Sequence, residues 1–209
     1  MKQIDLVIEG EQTEIDTQIL DLLAEPLLHL LRNAVAHGIE APDLRRLLGK
    51  PEKGKILLRL HSEGTHIILT VTDDGRGISA VALREKAIRN GFITPEEAAQ
   101  MSDEDAFSLG FLPGLTTAES VSQTAGRGVG MDIIKTSILR GQGTISIASE
   151  PQKGTTFTIR MPMALAITRG LLIKTNGQMF AFPLKLVKKV SGLFALLPAG
   201  FQFRLMVTR

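Results

Sequence analysis

Three short segments carry residue types that could do chemistry. "HLLRNAVAHGIE" (29–40) sets His29, Asn33 and His37 four residues apart in an otherwise apolar run of Leu27, Leu28, Leu31, Ala34 and Val35. Residues four apart share one helix face, so the spacing predicts a polar stripe along a helix. A buried imidazole or amide without a partner costs about 1–3 kcal/mol, so the stripe must face something. Backbone and water would satisfy a purely structural stripe. A ligand would serve as well. The Asn33 carbonyl oxygen is a hard donor suited to Mg²⁺. His29, one turn earlier, could orient or deprotonate a reacting group.

"DDGRGIS" (Asp73–Ser79) follows directly on a β-rich run. Gly75 and Gly77 let backbone approach a ligand with no Cβ in the way. A carboxylate at a strand end can accept from an exocyclic amine, such as N6 of adenine. A plain turn after a strand fits the same residues. "GRGVGMD" (Gly126–Asp132) closes a long stretch rich in Gly, Thr and Ser and opens a helix. Gly126, Gly128 and Gly130 alternate, and free N–H groups at a helix start form an anion site. The pattern is neither a P-loop nor a Rossmann fingerprint. A flexible hinge accounts for it as well as a phosphate cradle does. One ligand would answer all three segments together, and it is Mg-ATP.

The elements that must position these residues are legible in outline. "TEIDTQILDLLAEPLLHLLRNAVAHG" predicts a helix, with Pro26 tolerated near its start and Gly38 as its stop. "APDLRRLLGK" predicts a second, short helix. "GKILLRLHSEGTHIILTVTDDG" predicts a hairpin around a Ser-Glu-Gly turn, ending at Asp73. "AVALREKAIRNG", "TPEEAAQM" and "DEDAFSLG" predict helices, the first capped by Gly91. "FLPGLTTAESVSQTAGRGVG" predicts a long loop of the kind that is functional or mobile. A helix ("MDIIKTSILRGQG") and a second hairpin ("GTISIASEPQKGTTFTIRMPM") follow. This order predicts an α/β (α+β) two-layer sandwich, a mixed sheet with helices packed on one face.

The pattern changes near Pro162, which sets the expected domains at 1–161 and 162–209. "GLLIKTNGQMFAFPL" predicts a third hairpin turning at Asn176–Gly177. Residues after Val190 show no usable pattern. The 209 residues are 44% hydrophobic, enough for a real core, and carry a net charge of only +2. That charge is too small to argue for nucleic acid or an anionic membrane. The absence of cysteine excludes disulfides and thiolate metal sites. Charges occur from the first residues, and no apolar run approaches the roughly 18 residues of a membrane span. The expectation is a cytoplasmic protein with no direct membrane insertion.

Taken in order, these segments resemble the ATP-binding domain of the CheA-type chemotaxis histidine kinases. The asparagine-bearing helix matches "HLLRNAVAHGIE", the first glycine box "DDGRGI", and the phenylalanine-lid segment "FSLGFLPGLTT". The second glycine box matches "GRGVGMD" and the last motif "KGTTFTIRMP". The resemblance covers roughly residues 5 to 190. It implies the Bergerat ATP-binding fold of histidine kinases, gyrase and the large heat-shock chaperone. It also implies transfer of the γ-phosphoryl of Mg-ATP to a histidine on a separate phosphotransfer domain.

Carried over by position, Asn33 coordinates Mg²⁺, His29 fills the place of the candidate catalytic base, and His37 lies along the phosphates. Asp73 takes the adenine amine, Gly75 and Gly77 give the base room, and Gly126, Gly128 and Gly130 wrap the phosphates. Thr155 supports the adenine side directly or through water. "LAITRGLLIKTNGQMFAFPL" resembles the start of a CheW-like regulatory domain. The implied partners are the phosphotransfer domain, a CheW-like adaptor with its chemoreceptor complex and, indirectly, a response regulator. Position 36 is alanine where the family commonly has aspartate. The regulatory part stops short of a full barrel, and the chain reads as a fragment or truncated gene product. A nucleotide-binding or scaffold module without transfer is the competing reading. A gyrase- or MutL-type ATPase is disfavoured by the histidine at position 29, where those enzymes favour a carboxylate.

Overall fold

A computed structural model of the chain describes residues 2–115 and 131–163 in full. Beyond these it describes strand backbone at 170–175, 178–183 and 202–204. The chain divides into two compact units, Met1–Leu165 and Ala166–Arg209.

The first unit opens with strand β1 (Ile4–Glu9), which the sequence reading did not anticipate. Leu6, Val7 and Ile8 are apolar in succession, so the run does not alternate, and Leu6 and Ile8 remain about half exposed. It pairs with one neighbour only, in parallel. So brief and weakly buried a strand leaves little periodic signal.

Helix α1 (Thr17–Asn33) begins where the Asp16 carboxylate accepts the Gln18 N–H at 2.7 Å. Ile19, Leu23, Pro26 and Leu30 form its buried stripe. Pro26 is therefore interior, not near the start as expected. Its ring fills the core, while the helix forgoes one backbone hydrogen bond there. The expected helix also does not run straight to Gly38. Ala34–Gly38 form a π-helical turn, closed by the Ile39 N–H bonding to the Ala34 carbonyl at 2.8 Å.

Next come α2 (Pro42–Leu47), strands β2 (Gly54–Glu63) and β3 (His66–Asp73), and α3 (Ala80–Arg89), which is capped by Ser79. Thr94 and Glu97 form a reciprocal capping box at the start of α4 (Pro95–Gln100). Helices α5 (Asp103–Leu109) and α6 (Met131–Arg140) and strands β4 (Thr144–Glu150) and β5 (Gly154–Pro162) complete the unit.

The five strands run in the order β1-β2-β3-β5-β4, all antiparallel except β1 with β2. The sheet is mixed, as expected, and one of its faces carries the core. Ile67, Leu69 and Val71 of β3 meet Phe157, Ile159 and Met161 of β5 there. Ile19, Leu23 and Leu30 of α1, Leu83 of α3, Phe107 of α5, and Ile134 and Ile138 of α6 cover them.

The lid was expected to begin at Phe107. Instead Phe107, Phe111 and Leu115 are buried in this core at four-residue spacing. Their apolar surface outweighs the glycines between them, so 107–115 belongs to the scaffold. Residues 116–128 of the expected lid, 107–128, lie outside the described residues.

The second unit contains β6 (Gly170–Thr175), β7 (Gln178–Pro183) and β8 (Gln202–Arg204), in the order β7-β6-β8. Thr175 pairs with Gln178, and the expected turn residues Asn176 and Gly177 lie outside the described residues. Strand β8 lies in the segment that had shown no pattern.

Candidate nucleotide-binding site

The polar residues gather where the apolar rows of the sheet end. Strand side chains alternate between faces, so Asp73 shares the core face with Ile67, Leu69 and Val71. Thr155 likewise continues the row of Met161, Ile159 and Phe157. Asp73 pairs with Thr155 across β3 and β5, and Thr155 pairs with Ser149 across β5 and β4. A row of three polar side chains thus caps the apolar core at one sheet end.

Ser149 fixes this row. Its hydroxyl donates to the Gly154 carbonyl at 2.8 Å and accepts the Ile78 N–H at 2.7 Å. Its oxygen is 2.9 Å from that of Thr155. With the Ser149 proton already given to Gly154, the Thr155 hydroxyl is the donor between them. The Thr155 lone pairs are left to accept from a ligand or water. Ser149 was not picked out from sequence, where it is one serine in a β-rich run.

Asp73 is 5% exposed. Its Oδ1 accepts the Gly75 N–H at 2.9 Å. Among the described residues Oδ2 has no donor and can accept from an amine. Burial pushes the carboxyl up to about 6, although the Gly75 N–H and the Lys50 charge oppose it; Asp74 and Glu40 add to the rise.

The glycines beside Asp73 are set by close approach. A Cβ on Gly75 would lie 2.2 Å from the Gly38 carbonyl oxygen and 2.8 Å from Asp73 Oδ1. Gly38 itself lies against the same carboxyl group. Gly77 has φ +70°, and a Cβ there would lie 2.2 Å from the Glu150 carbonyl oxygen. Its immediate neighbour is therefore the β4–β5 turn. The Arg76 N–H donates to the Gly38 carbonyl at 3.0 Å, and the Arg76 carbonyl accepts the Gln152 N–H at 2.8 Å. The first glycine box is stitched to the end of the π turn on one side and to the β4–β5 turn on the other.

The polar stripe is only partly continuous. His29 and Asn33 lie on α1, both half-buried, while His37 sits in the π turn and is exposed. The wider turn rotates His37 off the regular four-residue stacking. Single π turns recur at functional sites. Its carbonyls find partners from elsewhere in the chain. Lys2 Nζ donates to the carbonyls of Val35 and Ala36, each at 2.8 Å, and Arg76 Nε to that of His37 at 2.5 Å. Cations at carbonyls ending a helical segment also complement its dipole. Ala36, the family's aspartate position, is exposed and takes part through its backbone.

Asn33 Nδ2 donates weakly to Met131 Sδ at 3.5 Å, at the start of α6. Among the described residues the amide carbonyl has no partner, which leaves the donor chemistry a hard cation needs. From His29 to Gly38 the helical segment spans about 13 Å, joining the stripe to the carboxylate pocket. Gly126, Gly128 and Gly130 lie outside the described residues.

Residues 23–165 match the family described as histidine kinase-, DNA gyrase B-, and HSP90-like ATPase. The chain belongs to that family. Membership makes the polar row at Asp73 part of an ATPase-family domain. The chain is 47% identical over 186 residues to the sensor histidine kinase CheAY of Helicobacter pylori, covering 89% of this chain and 23% of that protein. It is 46% identical over 183 residues to the chemotaxis protein CheA of Treponema pallidum, covering 88% and 22%. With CheA of Halobacterium salinarum the identity is 43% over 190 residues, covering 91% and 28%. The chain thus spans about a quarter of the length of these relatives. Among the described residues no helix is long and apolar enough to cross a membrane.

Within this ATPase domain the structure brings Asp73, Gly75 and Thr155 together and joins them through Gly38 to the helix bearing His29 and Asn33. It adds Ser149 and Lys2, which lie outside the motifs, and Arg76 and Met131, which lie within the glycine motifs but were not singled out there.

Proposed function

We propose that the chain is the ATP-binding catalytic core of a chemotaxis-type histidine kinase. It transfers the γ-phosphoryl of Mg-ATP to a histidine on a separate phosphotransfer domain. One observation carries the reading: a buried carboxylate with one oxygen tied to Gly75 and the other open lies at the end of the helix that bears His29 and Asn33. Asp73 Oδ2 accepts from the adenine amine, and Thr155 accepts directly or through water. Gly75 and Gly77 let the loop close beside the base. Asn33 contributes its carbonyl oxygen to Mg²⁺, with its amide N–H held by Met131. Bound Mg²⁺ supplies charge neutralisation at the phosphates. His29 orients the acceptor imidazole or removes its proton, and His37 lies along the phosphates. Gly126, Gly128 and Gly130 wrap them.

The similarity to chemotaxis kinases supports the remaining partners: a CheW-like adaptor with its chemoreceptor complex and, downstream, a response regulator. Residues 162–209 are the beginning of a CheW-like regulatory domain in this reading, and the protein works in the cytoplasm. Radiolabelled ATP given to the chain with and without an added phosphotransfer domain tests the assignment. The expected result is an acid-labile label on the added domain alone. Transfer should be slow, because the reaction lacks the effective concentration of a tether. Nucleotide binding without transfer would convict the kinase reading and leave a binding module.

A further inference from the structure

Behind Asp73 lies a cluster of four charges, Glu40, Arg45, Lys50 and Asp74, of which Arg45 and Glu40 are buried and Lys50 and Asp74 partly so. Arg45 of α2 is fully buried. Its Nη2 donates to Asp74 Oδ2 at 2.7 Å and its Nη1 to Glu40 Oε2 at 3.0 Å. Its remaining donors reach the carbonyls of Pro51 at 2.6 Å, Lys53 at 3.3 Å and Asp74 at 3.3 Å. Lys50 Nζ donates to Glu40 Oε1 at 2.8 Å, the Asp74 carbonyl at 2.9 Å and the Gly75 carbonyl at 2.8 Å. Asp74 Oδ1 accepts the Lys55 N–H at 2.8 Å. Burial alone would raise the Glu40 carboxyl. The hydrogen bonds from Lys50 and Arg45 outweigh it and hold that carboxyl below the ordinary value.

The cluster has two positive and two negative charges and leaves none unpaired. That is the condition under which buried ions are tolerated. Arg45 and Lys50 together place three hydrogen bonds on the carbonyls of Asp74 and Gly75, the two residues directly after Asp73, while Arg45 also ties the α2–β2 loop at Pro51 and Lys53. An ordinary strand-to-loop turn does not require a guanidinium and an ammonium beneath it. We infer that Arg45, Lys50 and Glu40 are positioning residues for adenine recognition, holding the Asp74–Gly75 backbone so that Asp73 keeps the pose that accepts from the base. The inference rests on the proposed role of Asp73.

Lys50 and Glu40 also act on Asp73 in opposite directions through their charges. The charged groups around Asp73 are Asp74 on its own loop and Glu40 and Lys50 from the segments flanking α2, together with the Gly75 N–H. The paired strands β2 and β5 contribute the uncharged Ile56 and Thr155. A cluster that only held the fold together would weaken every nucleotide alike when damaged. A positioning cluster changes the preference for adenine and its pH dependence.

The experiment measures ADP and GDP affinities of the whole chain by calorimetry between pH 5 and 8, reading their ratio so that phosphate titration cancels. Lys50→Met should weaken ADP about tenfold more than GDP and move the loss of adenine preference to higher pH. Glu40→Gln should move that loss to lower pH, and Lys50→Arg should restore the wild-type midpoint. If either Lys50→Met or Glu40→Gln fails to fold, the other still reads its own direction. Unchanged ADP-to-GDP ratios and midpoints in folded variants overturn the inference, as do shifts in the same direction for both. Asp73→Asn separates the two readings: if it leaves ADP affinity unchanged, the adenine assignment itself has failed. If it weakens ADP while the Lys50 and Glu40 variants behave as wild type, only the positioning inference has failed.

Discussion

Asp73 and Thr155 face each other across β3 and β5 on the core side of the sheet, one buried carboxylate against one buried hydroxyl. Every earlier pair on these two rows is apolar. The change of character at this last pair ends the apolar core in a polar row.

Replacing Asp73 with Asn substitutes an amide for an acceptor-only group. ADP affinity should fall by about 1–3 kcal/mol, the worth of a charge-assisted hydrogen bond, with GDP nearly unaffected. Calorimetry with both nucleotides checks this, and unchanged ADP affinity would sink the adenine assignment.

The same carboxyl sets a pH dependence. It ionises near 6 in the folded chain, above the ordinary aspartate value. Between about 4 and 6 the folded state therefore binds more protons than the unfolded chain, so stability without nucleotide falls as pH rises through that window. Nucleotide recognition has the opposite sign, because the base needs the ionised form, and adenine preference should fade as pH drops below about 6. Thermal melts and ADP-to-GDP affinity ratios across pH 4–8 measure both. Asp73→Asn should flatten both curves.

Ser149→Ala removes the acceptor of the Ile78 N–H and the partner of the Thr155 hydroxyl. Stability should fall by about 1–3 kcal/mol, the cost of stranding a buried donor. Thr155→Val removes one hydroxyl whose only partner among the described residues is Ser149, so its stability loss should be smaller and its loss of ADP affinity larger. Urea unfolding with parallel ADP titration separates them, and equal effects on both measures would contradict the division of roles.

Asn33→Ala should abolish the Mg²⁺-dependent tightening of ATP while leaving metal-free binding largely in place, because only the carbonyl oxygen meets the metal. Titrations of ATP with Mg²⁺ or with EDTA decide this. Equal Mg²⁺ dependence in mutant and wild type rules out the ligand role.

Gly75→Ala places a methyl group against the Gly38 carbonyl and the Asp73 carboxyl. Overpacking of this kind costs about 1–3 kcal/mol, and the displaced loop should also weaken ADP. Gly64→Ala is the control: its Cβ meets nothing, although its φ is +59°. It should lower the melting temperature modestly and leave nucleotide affinity alone.

The sequence by itself determined the elements with strong local causes. Alternating β-branched residues made both hairpins, and the helices expected at "AVALREKAIRNG" and "TPEEAAQM" formed there as α3 and α4. Spacing put His29 and Asn33 on one face, and the order of motifs identified the nucleotide family. Local signals did not reach β1, whose pairing with β2 depends on residues some fifty positions away. They did not place Pro26 in a helix interior either, since only the surrounding core makes that tolerable. The π turn that rotates His37 away from Asn33 depends on Lys2 and Arg76 meeting its carbonyls from distant segments. Residues 107–115 joined the scaffold and not the expected lid because Phe107 and Phe111 found a core to fill. The pairing of Asp73 with Thr155 and Ser149, and the charged cluster under Asp74, were decided by the tertiary structure alone. Charge and hydrogen-bond partners act through space over a few ångströms, and sequence separation does not record that distance.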